Sequence, residues 1–494
     1  MGRKIPMWQC LVTMLFTLLA LCYALGIMGK VLGPAFACDY GTVHIPLICS
    51  AIFASIVAII NGYKWSFLEA GILASINRSM QAMLILLTVG GLIGSWIAGG
   101  VVPAMIFYGL KVLSPGIFLV ASCILCMIVS LATGSSWTTA GTIGIALIGV
   151  GHGLGMDPAM TAGAIVSGAY FGDKMSPLSD TTNLAPAMAG STLFDHIRHM
   201  MWTVTPSILI SLVLYGILGM GKAGDNVDLS AVNALQEGLQ ANFNINLALL
   251  IPPIVVILIV ALKLPAIPGL IGGIALGCIM GSIFQGVTLA EWPNILHNGF
   301  AFANPDAVPP ELVSLLERGG MASMLWTINL IICAMCFGGI MDSSGMLATM
   351  AEALLKGAKN TGSLVTITIF SCFFMNVIAG DQYLAIVLPG RMYKEAFEDR
   401  KLAPRNLSRC LEDSGTVTSC LVPWNTCGAT MTTFLGVPTG QYFKYAFLNM
   451  LNPLISIFYG FTGISMMKMT DEEYAKVMEE REAEKAAALK ALEA

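Results

Sequence analysis

The sequence predicts an all-α polytopic membrane protein built from two inverted repeats, each carrying a broken helix. Three observations predict this fold. The chain is overwhelmingly apolar, polar residues and prolines interrupt two of its apolar segments, and the second half of the chain matches the first at a constant spacing. A chain with these properties keeps its polar side chains at two places inside the membrane.

The composition is that of an integral membrane protein. Hydrophobic residues make up 56% of the 494 residues and charged residues 11%, with a mean hydropathy of +0.78. Soluble chains carry about 25% charged residues, and one helical span needs about 20 apolar residues. The length therefore allows many spans and no large soluble domain. The expected partners are membrane lipids rather than nucleic acid.

The chain divides into five predicted regions. The first apolar run, residues 11–28, is long enough to be a retained span instead of a cleaved signal peptide. Residues 64–79 and 343–359 have the pattern of amphipathic helices lying along the membrane. The regions are an N-terminal span and loop (1–43), a first repeat (44–221), an inter-repeat loop (222–244), a second repeat (245–468) and a charged C-terminal helix (469–494).

The segment Ser167–Asn183 is polar and is broken by Pro177. Inside a membrane, non-helical backbone is tolerated only where protein or a water-filled cavity covers it. An aspartate there costs roughly 2.5–3.5 kcal/mol on insertion scales, so Asp173 and Asp180 need a cation, a proton or a basic partner. The segment therefore predicts an ion site. The alternative is that Lys174 pairs with one of the two aspartates and makes it structural.

The second half of the chain repeats the first, and the spacing is constant across both polar segments. Differences of 380 − 134, 404 − 158 and 423 − 177 all equal 246. These numbers belong to the pairs Gly134 and Gly380, Pro158 and Pro404, and Pro177 and Pro423. We therefore expect duplicated halves, with the second polar break close to Pro423.

The distribution of Lys and Arg gives the two halves opposite orientations. Six basic residues lie from Arg391 to Arg409, whereas the matching stretch around 145–163 has none. By the positive-inside rule the first stretch is cytoplasmic and the second is outside, and Arg3 and Lys4 place the N-terminus in the cytoplasm. The C-terminal tail is also predicted to be cytoplasmic. Inverted repeats that meet at paired broken helices are typical of secondary transporters.

The segments that precede the two breaks admit two layouts. Around Gly134–Trp137 and Gly380–Tyr383 the chain forms either two short crossings or a re-entrant hairpin with these residues at its tip. Both layouts give the same number of crossings, so the topology does not choose between them. A tip at Ser135 and Ser136 would expose hydroxyl and backbone oxygens to a bound ion.

The oxygen atoms around the two breaks suit a hard cation such as Na+. Serine and threonine hydroxyls in membranes also bond neighbouring helices, which is the structural alternative for each of them. A buried carboxylate that binds Na+ and a proton in turn makes an exchanger, because the two ions compete for one site. Asp180, Asp381 and Asp413 are the expected Na+ carboxylates. The predicted binding residues are Ser135, Ser136, Asp173, Ser176, Asp180, Thr181, Asn183, Asp381, Gln382, Asp413, Ser414, Thr416, Asn425 and Thr426.

The sequence argues against other classes of protein. It contains no complete nucleotide-binding motif and neither Gly-x-Ser-x-Gly nor His-Glu-x-x-His, so we expect no cofactor and no enzymatic reaction. Transport should then be secondary active. A passive cation channel is the rival class, and it is disfavoured because a pore needs a continuous polar path while these polar residues cluster at two breaks.

Two long motifs resemble the signature of the NhaC family of Na+/H+ antiporters. The first is Ser167–Pro186, and the second comprises Glu412–Ser419 with Pro423–Gly428. The resemblance implies hairpin tips at Gly134–Thr138 and Gly380–Tyr383 and broken helices at 172–182 and 413–426. It also implies a homodimer in the cell (inner) membrane, with a scaffold and a transport region that moves like an elevator.

The resemblance leaves two substrates open. Some members of this family look like simple Na+/H+ exchangers, whereas a close branch resembles malate/lactate antiporters that couple an organic anion to Na+ and H+. An organic anion needs a cation or a helix N-terminus as its partner, and Lys174 is the only basic residue of the core motif. We expect exchange of Na+ for H+, and the alternative is Na+/H+-coupled exchange of an organic acid or an amino acid.

Overall fold

The structure is a computed structural model, and it confirms an all-α fold. It describes residues 2–24, 42–223, 229–262 and 266–479, together with Gly26, Met28, Gly29, Gly33, Phe36, Cys38 and Arg481. Within these residues the regular structure is helical, apart from a single β-bridge between Leu402 and Lys468.

The helices follow one another with short connections. In chain order they are α1 Met7–Ala24, α2 His44–Ile60, α3 Trp65–Ala98, α4 Val101–Val112, α5 Pro115–Thr133, α6 Ser136–Thr139, α7 Ile145–Gly153, α8 Pro158–Met175, α9 Asp180–Ala189, α10 Leu193–Ala223, α11 Leu229–Asn242, α12 Ile251–Ala261, α13 Ala266–Met280, α14 Trp292–Asn298, α15 Pro310–Leu316, α16 Leu325–Ser343, α17 Met346–Leu355, α18 Thr361–Ile378, α19 Gln382–Glu398, α20 Pro404–Leu411, α21 Thr426–Leu435, α22 Thr439–Tyr442 and α23 Phe447–Thr462. Turns of π-helix at Ala140–Gly144 and Glu412–Thr416 continue α6 into α7 and extend α20.

The chain is a multi-pass membrane protein. Seven helices among the described residues are long and apolar enough to cross a membrane, and a pair bent by 98°, Asn233–Asn242 with Leu247–Ile259, makes an eighth if it is one span. Large apolar side chains such as Ile128 and Val213 point outward from these helices. Lipid is a favourable surrounding for such side chains. The apolar outer surface therefore agrees with the high share of hydrophobic residues in the sequence.

Residues 64–79 do not form a separate surface helix, so that expectation is wrong. They are the first half of α3, which runs unbroken for 34 residues, about 50 Å at 1.5 Å per residue. Ser75 and Ser79 face α16 and donate hydrogen bonds to the sulfur of Met335 at 3.5 and 3.1 Å. These two serines are therefore buried against another helix, whereas Glu69, Asn77 and Arg78 are exposed. Residues 343–359, by contrast, do contain a helix of their own, α17.

The local backbone supports the predicted duplication. Gly134 and Gly380, which lie 246 residues apart, both have left-handed backbone, with φ of 68° and 66°. Helices begin at the same spacing, since α5 and α18 start at Pro115 and Thr361, α6 and α19 at Ser136 and Gln382, α8 and α20 at Pro158 and Pro404, and α9 and α21 at Asp180 and Thr426. The opposite orientation of the halves and the five region boundaries stay predictions.

Helix α8 lies against α5 at backbone contact. A Cβ on Gly168 would come within 3.0 Å of the Cys123 carbonyl oxygen, closer than real Cβ atoms approach. The Ser130 hydroxyl donates to the Ala169 carbonyl at 2.5 Å in the same interface. Helix α5 leads directly to Gly134, and α8 leads to the first polar break. The contact between the two helices therefore fixes the position of the turn at Gly134 relative to the break.

We expect Gly168→Ala to lower the thermal unfolding midpoint of the purified protein in detergent. The added methyl group forces α5 and α8 apart, and overpacking of this kind costs about 1–3 kcal/mol, more than the helix propensity that alanine gains. Gly221→Ala is the matched control, because a Cβ there meets nothing within 4 Å. An unchanged midpoint for Gly168→Ala would show that the two helices are not packed this closely.

Candidate ion-binding site

In the first half, Asp173 joins the turn at Gly134 to the polar break that follows α8. One carboxylate oxygen accepts hydrogen bonds from the Ser136 backbone N–H at 3.2 Å and from the Ser136 hydroxyl at 2.6 Å. The other oxygen accepts from the Ser179 hydroxyl at 2.6 Å. Asp173 is almost completely buried, and its three accepted hydrogen bonds link α6 to the start of α9.

In the second half, Asn376 makes the corresponding connection. Its amide nitrogen donates to the Gly415 carbonyl at 2.8 Å, and its side-chain oxygen accepts from the Asn425 amide at 3.1 Å. The Thr426 backbone N–H donates to the Gly380 carbonyl at 2.9 Å. Hydrogen bonds thus join the second break to the turn that precedes it, as they do in the first half.

Both breaks also begin their next helix with a capped N-terminus. The Ser179 hydroxyl accepts from the Thr182 backbone N–H at 3.5 Å at the start of α9. The Asn425 side chain accepts from the Cys427 backbone N–H at 3.0 Å at the start of α21. Polar groups that the interruptions leave unpaired therefore find partners inside the protein, as an apolar surrounding requires.

Three aspartates act electrostatically on Tyr383, which lies in the first turn of α19. Asp173 and Asp180 belong to the first half of the chain, and Asp381 directly precedes α19. Asp180 and Asn183 are exposed, whereas Asp173 and Asp381 are 7% and 3% exposed. One of these carboxylates is therefore accessible at the surface of the structure, and the other two are buried. Sequence reasoning placed Tyr383 at a hairpin tip but did not identify it as the link between the halves.

Lys174 forms an ion pair with Asp413 across the two halves of the chain, so it is not the partner of Asp173 or Asp180. Both side chains are completely buried. The same Asp413 oxygen accepts from the Thr203 hydroxyl at 2.9 Å and from the Asn452 amide at 2.7 Å, and Arg409 lies 3.7 Å from the other oxygen. Asp413 is therefore occupied by protein groups in this conformation.

Glu412 is a buried carboxyl that sequence reasoning did not select. The residue is 0% exposed, and neither carboxyl oxygen has a hydrogen-bond partner among the described residues. Lys174 and Asp173 are the charged groups that act on it most strongly. An unpaired buried carboxylate is costly, so Glu412 needs a proton or a cation. Its position beside Asp413 in the second motif was the available signal.

The remaining predicted residues divide into two groups. Several hydroxyls and amides serve the fold. The Ser176 hydroxyl donates to the Leu131 carbonyl at 2.9 Å and the Ser414 hydroxyl to the Ile369 carbonyl at 2.7 Å, while the Asn183 amide donates to the Ser179 carbonyl at 2.7 Å. The others bond within their own half or are simply buried: the Ser135 hydroxyl accepts from the Thr138 backbone N–H at 3.1 Å, the Thr181 hydroxyl lies 3.2 Å from the Ser179 hydroxyl, Gln382 accepts from the Cys427 thiol at 3.1 Å, and Thr416 and Thr426 are buried.

No group of three or more His, Cys, Asp or Glu side chains in the described ranges converges to hold a metal ion. The carboxylates near Tyr383 are therefore neighbours rather than a closed coordination shell. Hydroxyl, amide or backbone oxygens would have to complete the coordination of a transported cation.

A multi-pass membrane protein with aspartates at interrupted helices has the properties of a secondary transporter. The comparison with known families gives the particular class. The model of the Na+/H+ antiporter family matches residues 168–464, and the chain belongs to this family. The resemblance that the two motifs indicate is confirmed.

Individual relatives differ in substrate. The chain is 38% identical over 426 residues to the Na(+)/H(+) antiporter NhaC of Alkalihalophilus pseudofirmus, covering 86% of this chain and 91% of the relative. It is 38% identical over 421 residues to the malate-2H(+)/Na(+)-lactate antiporter of Bacillus subtilis, covering 85% and 89%. It is 35% identical over 433 residues to the arginine/ornithine antiporter ArcD of Halobacterium salinarum, covering 87% and 89%.

We expect Asp413→Asn to destabilise the protein more than Lys174→Met. The first change leaves Lys174 and Arg409 without their shared carboxylate, whereas the second leaves Asp413 with Arg409, Thr203 and Asn452. Breaking a buried ion pair by removing one partner costs about 3–5 kcal/mol. The measurement is the thermal unfolding midpoint in detergent, and the double variant should lose less than the two single losses combined. Strictly additive losses would contradict the pairing.

Proposed function

We propose that this protein exchanges Na+ for H+ across the cell membrane, with the cation and the proton competing for the aspartates at the two helix breaks. The observation that carries the proposal is Asp180, an exposed carboxylate of the first break that acts on Tyr383 of the second half together with buried Asp173 and Asp381.

The charges around Tyr383 favour a cation. Asp173, Asp180 and Asp381 all act on Tyr383, and the charge of Asp180 also repels that of Asp173. A bound Na+ or a bound proton relieves the same repulsion, so each ion weakens the binding of the other. This competition is sufficient for exchange when the site opens alternately to the two sides.

Asp413 takes a different role in this proposal. Sequence reasoning selected it as a Na+ carboxylate, but its Oδ1 already accepts from Lys174, Thr203 and Asn452, and Arg409 lies 3.7 Å from its Oδ2. We assign it to holding α8 against the turn that follows α20. Lys174 then couples the two breaks, so that an ion bound at one of them acts on the position of the other.

A contact of the C-terminal segment supports our proposal for the side of the membrane on which the C-terminus lies. The Met469 backbone N–H donates to the Lys401 carbonyl at 2.8 Å, and the Ala403 N–H donates to the Met467 carbonyl at 3.0 Å. The tail therefore lies beside the basic stretch 391–409, which the positive-inside rule assigns to the cytoplasm. We propose a cytoplasmic C-terminus on this ground. Elevator-like movement and a homodimer are part of the proposal, and their support is the family resemblance.

Na+/H+-coupled exchange of an organic acid or an amino acid is the second candidate. One relative named above is a malate-2H(+)/Na(+)-lactate antiporter, and another is an arginine/ornithine antiporter. Asp180 and Asn183 are exposed, so a polar group of such a substrate has two polar side chains to contact at the first break. An organic substrate would use the same aspartates for the accompanying ions.

The test uses the purified protein in liposomes that contain a pH-sensitive dye. Na+, Li+, K+, malate, lactate, arginine and ornithine are added in turn to liposomes carrying a pH gradient. We expect Na+ alone to move protons and Asp180→Asn to reduce the movement to the level of empty liposomes, because the accessible carboxylate is lost. Asp306→Asn, which neutralises an exposed aspartate outside the breaks, is the matched control.

Two outcomes would contradict the proposal. Proton movement that needs an organic substrate in addition to Na+ would establish the second candidate. Asp180→Asn with undiminished Na+-driven proton movement would show that the accessible aspartate does not carry the exchange.

A further inference from the structure

Arg318 lies beside the end of α21 that is farther from the second break. Its guanidinium donates a hydrogen bond at 2.7 Å to the backbone carbonyl of Phe434, in the last turn of α21. The helix ends at Gly436, whose backbone is left-handed with φ of 70°, and guanidinium nitrogens lie 3.7 Å from the point where a Cβ would stand on this glycine. A helix C-terminus has unpaired carbonyl groups and partial negative charge. The guanidinium therefore binds a carbonyl and compensates the helix dipole.

The segment that follows Arg318 is held against α3 at backbone contact. The Gly320 N–H donates to the Gly90 carbonyl at 2.7 Å. A Cβ on Gly319 would stand 2.7 Å from the backbone nitrogen of Gly94, closer than real Cβ atoms approach. Helix α3 is joined to α16 by the serine–methionine hydrogen bonds described above. Arg318 therefore reaches α21 from the pair of helices α3 and α16, which lies outside the two breaks.

A second link joins the same end of α21 to this helix pair. The hydroxyl of Thr433, in the last turn of α21, forms a hydrogen bond with the hydroxyl of Thr327, in the first turn of α16. The other end of α21 is bonded to the second break, since the Thr426 backbone N–H donates to the Gly380 carbonyl. One end of α21 is thus attached to the break and the other end to α3 and α16.

The first half of the chain has a basic side chain at the corresponding place. Gly190 ends α9, lies 246 residues before Gly436 and also has left-handed backbone, with φ of 79°. The Lys394 Cε lies 3.8 Å from the point where a Cβ would stand on Gly190. Lys394 belongs to α19, a helix that itself begins at the second break. Of these two cations, Arg318 is therefore the one that joins a helix of the breaks to the helices outside them.

We propose that Arg318 is a positioning residue that fastens α21 to α3 and α16 in this conformation, and that this fastening opens during each exchange cycle. The proposal rests on the proposed function. An exchanger opens its site alternately to the two sides of the membrane, so a helix that begins at the site has to move relative to its surroundings. The links of Arg318 and Thr327 to α21 join such a helix to its surroundings. A contact that is made in one conformation and lost in the other sets the populations of both.

The first measurement is hydrogen exchange of the purified full-length protein, followed by mass spectrometry. In Arg318→Gln we expect the amide hydrogens in the last turn of α21 to exchange roughly three- to tenfold faster, because a charge-assisted hydrogen bond at the helix end is lost. The first turn of α21 should keep its rate. Arg318→Lys keeps the charge and should restore most of the protection. Lys359→Gln, which removes an exposed cation outside α21, is the matched control.

The second measurement locks the fastening reversibly. The hydroxyls of Thr327 and Thr433 are in contact, so the double variant Thr327→Cys and Thr433→Cys brings two thiols within reach of a disulfide. Oxidation should lower Na+-driven proton movement in liposomes at least tenfold, and a reductant should restore it. Mass spectrometry verifies the bond. The two single variants, treated with the same oxidant, control for the native cysteines.

A structural role of Arg318 gives a different result. If the fastening only stabilised the fold, Arg318→Gln would still speed exchange in α21, but proton movement would be unchanged with the disulfide formed. That result overturns the proposal, as does failure of the disulfide to form or an unchanged exchange rate in Arg318→Gln. An unaltered protein that moves no protons in response to Na+ overturns the proposed function. The exchange rates of α21 would then still decide whether Arg318 fastens this helix.

Discussion

The cost of an unpaired polar group inside a membrane governs this structure. Two interrupted helices leave backbone and side-chain groups that lipid cannot satisfy. In each half, side-chain hydrogen bonds join the turn to the break, through Asp173 in the first half and through Asn376 in the second. The tight packing of α8 on α5, without a side chain at Gly168, keeps these partners within reach. The polar centre therefore exists only because the surrounding helices are held in place.

The structure separates two kinds of buried charge. Asp413 is paired with two cations, Lys174 of the first half and Arg409 of the second. The aspartates that act on Tyr383 have no ion-pair partner within 4 Å among the described residues. The first set suits a fixed connection between the breaks. The second suits ions that arrive and leave, which is the role that the proposed exchange requires.

Much of the fold and part of the site could be predicted from the sequence. The cost of Asp173 and Asp180 in an apolar segment pointed to the first break, and the spacing of 246 residues led from Gly134 to Gly380. The partner of Lys174 could not be predicted, because it lies 239 residues away and depends on how the halves pack. Asn376 was missed for the same reason, since a single amide in an apolar helix carries no pattern. The continuity of α3 depends on its contact with α16, which periodicity does not reveal.

The central claim is that Na+ and H+ compete for the same carboxylates. Calorimetric titration of the purified protein with Na+, at two pH values and in buffers of different ionisation enthalpy, tests it directly. Competition predicts that Na+ binds more weakly at the lower pH and that its binding releases protons, which the difference between buffers reports. Na+ binding with the same affinity at both pH values and without proton release would contradict the account.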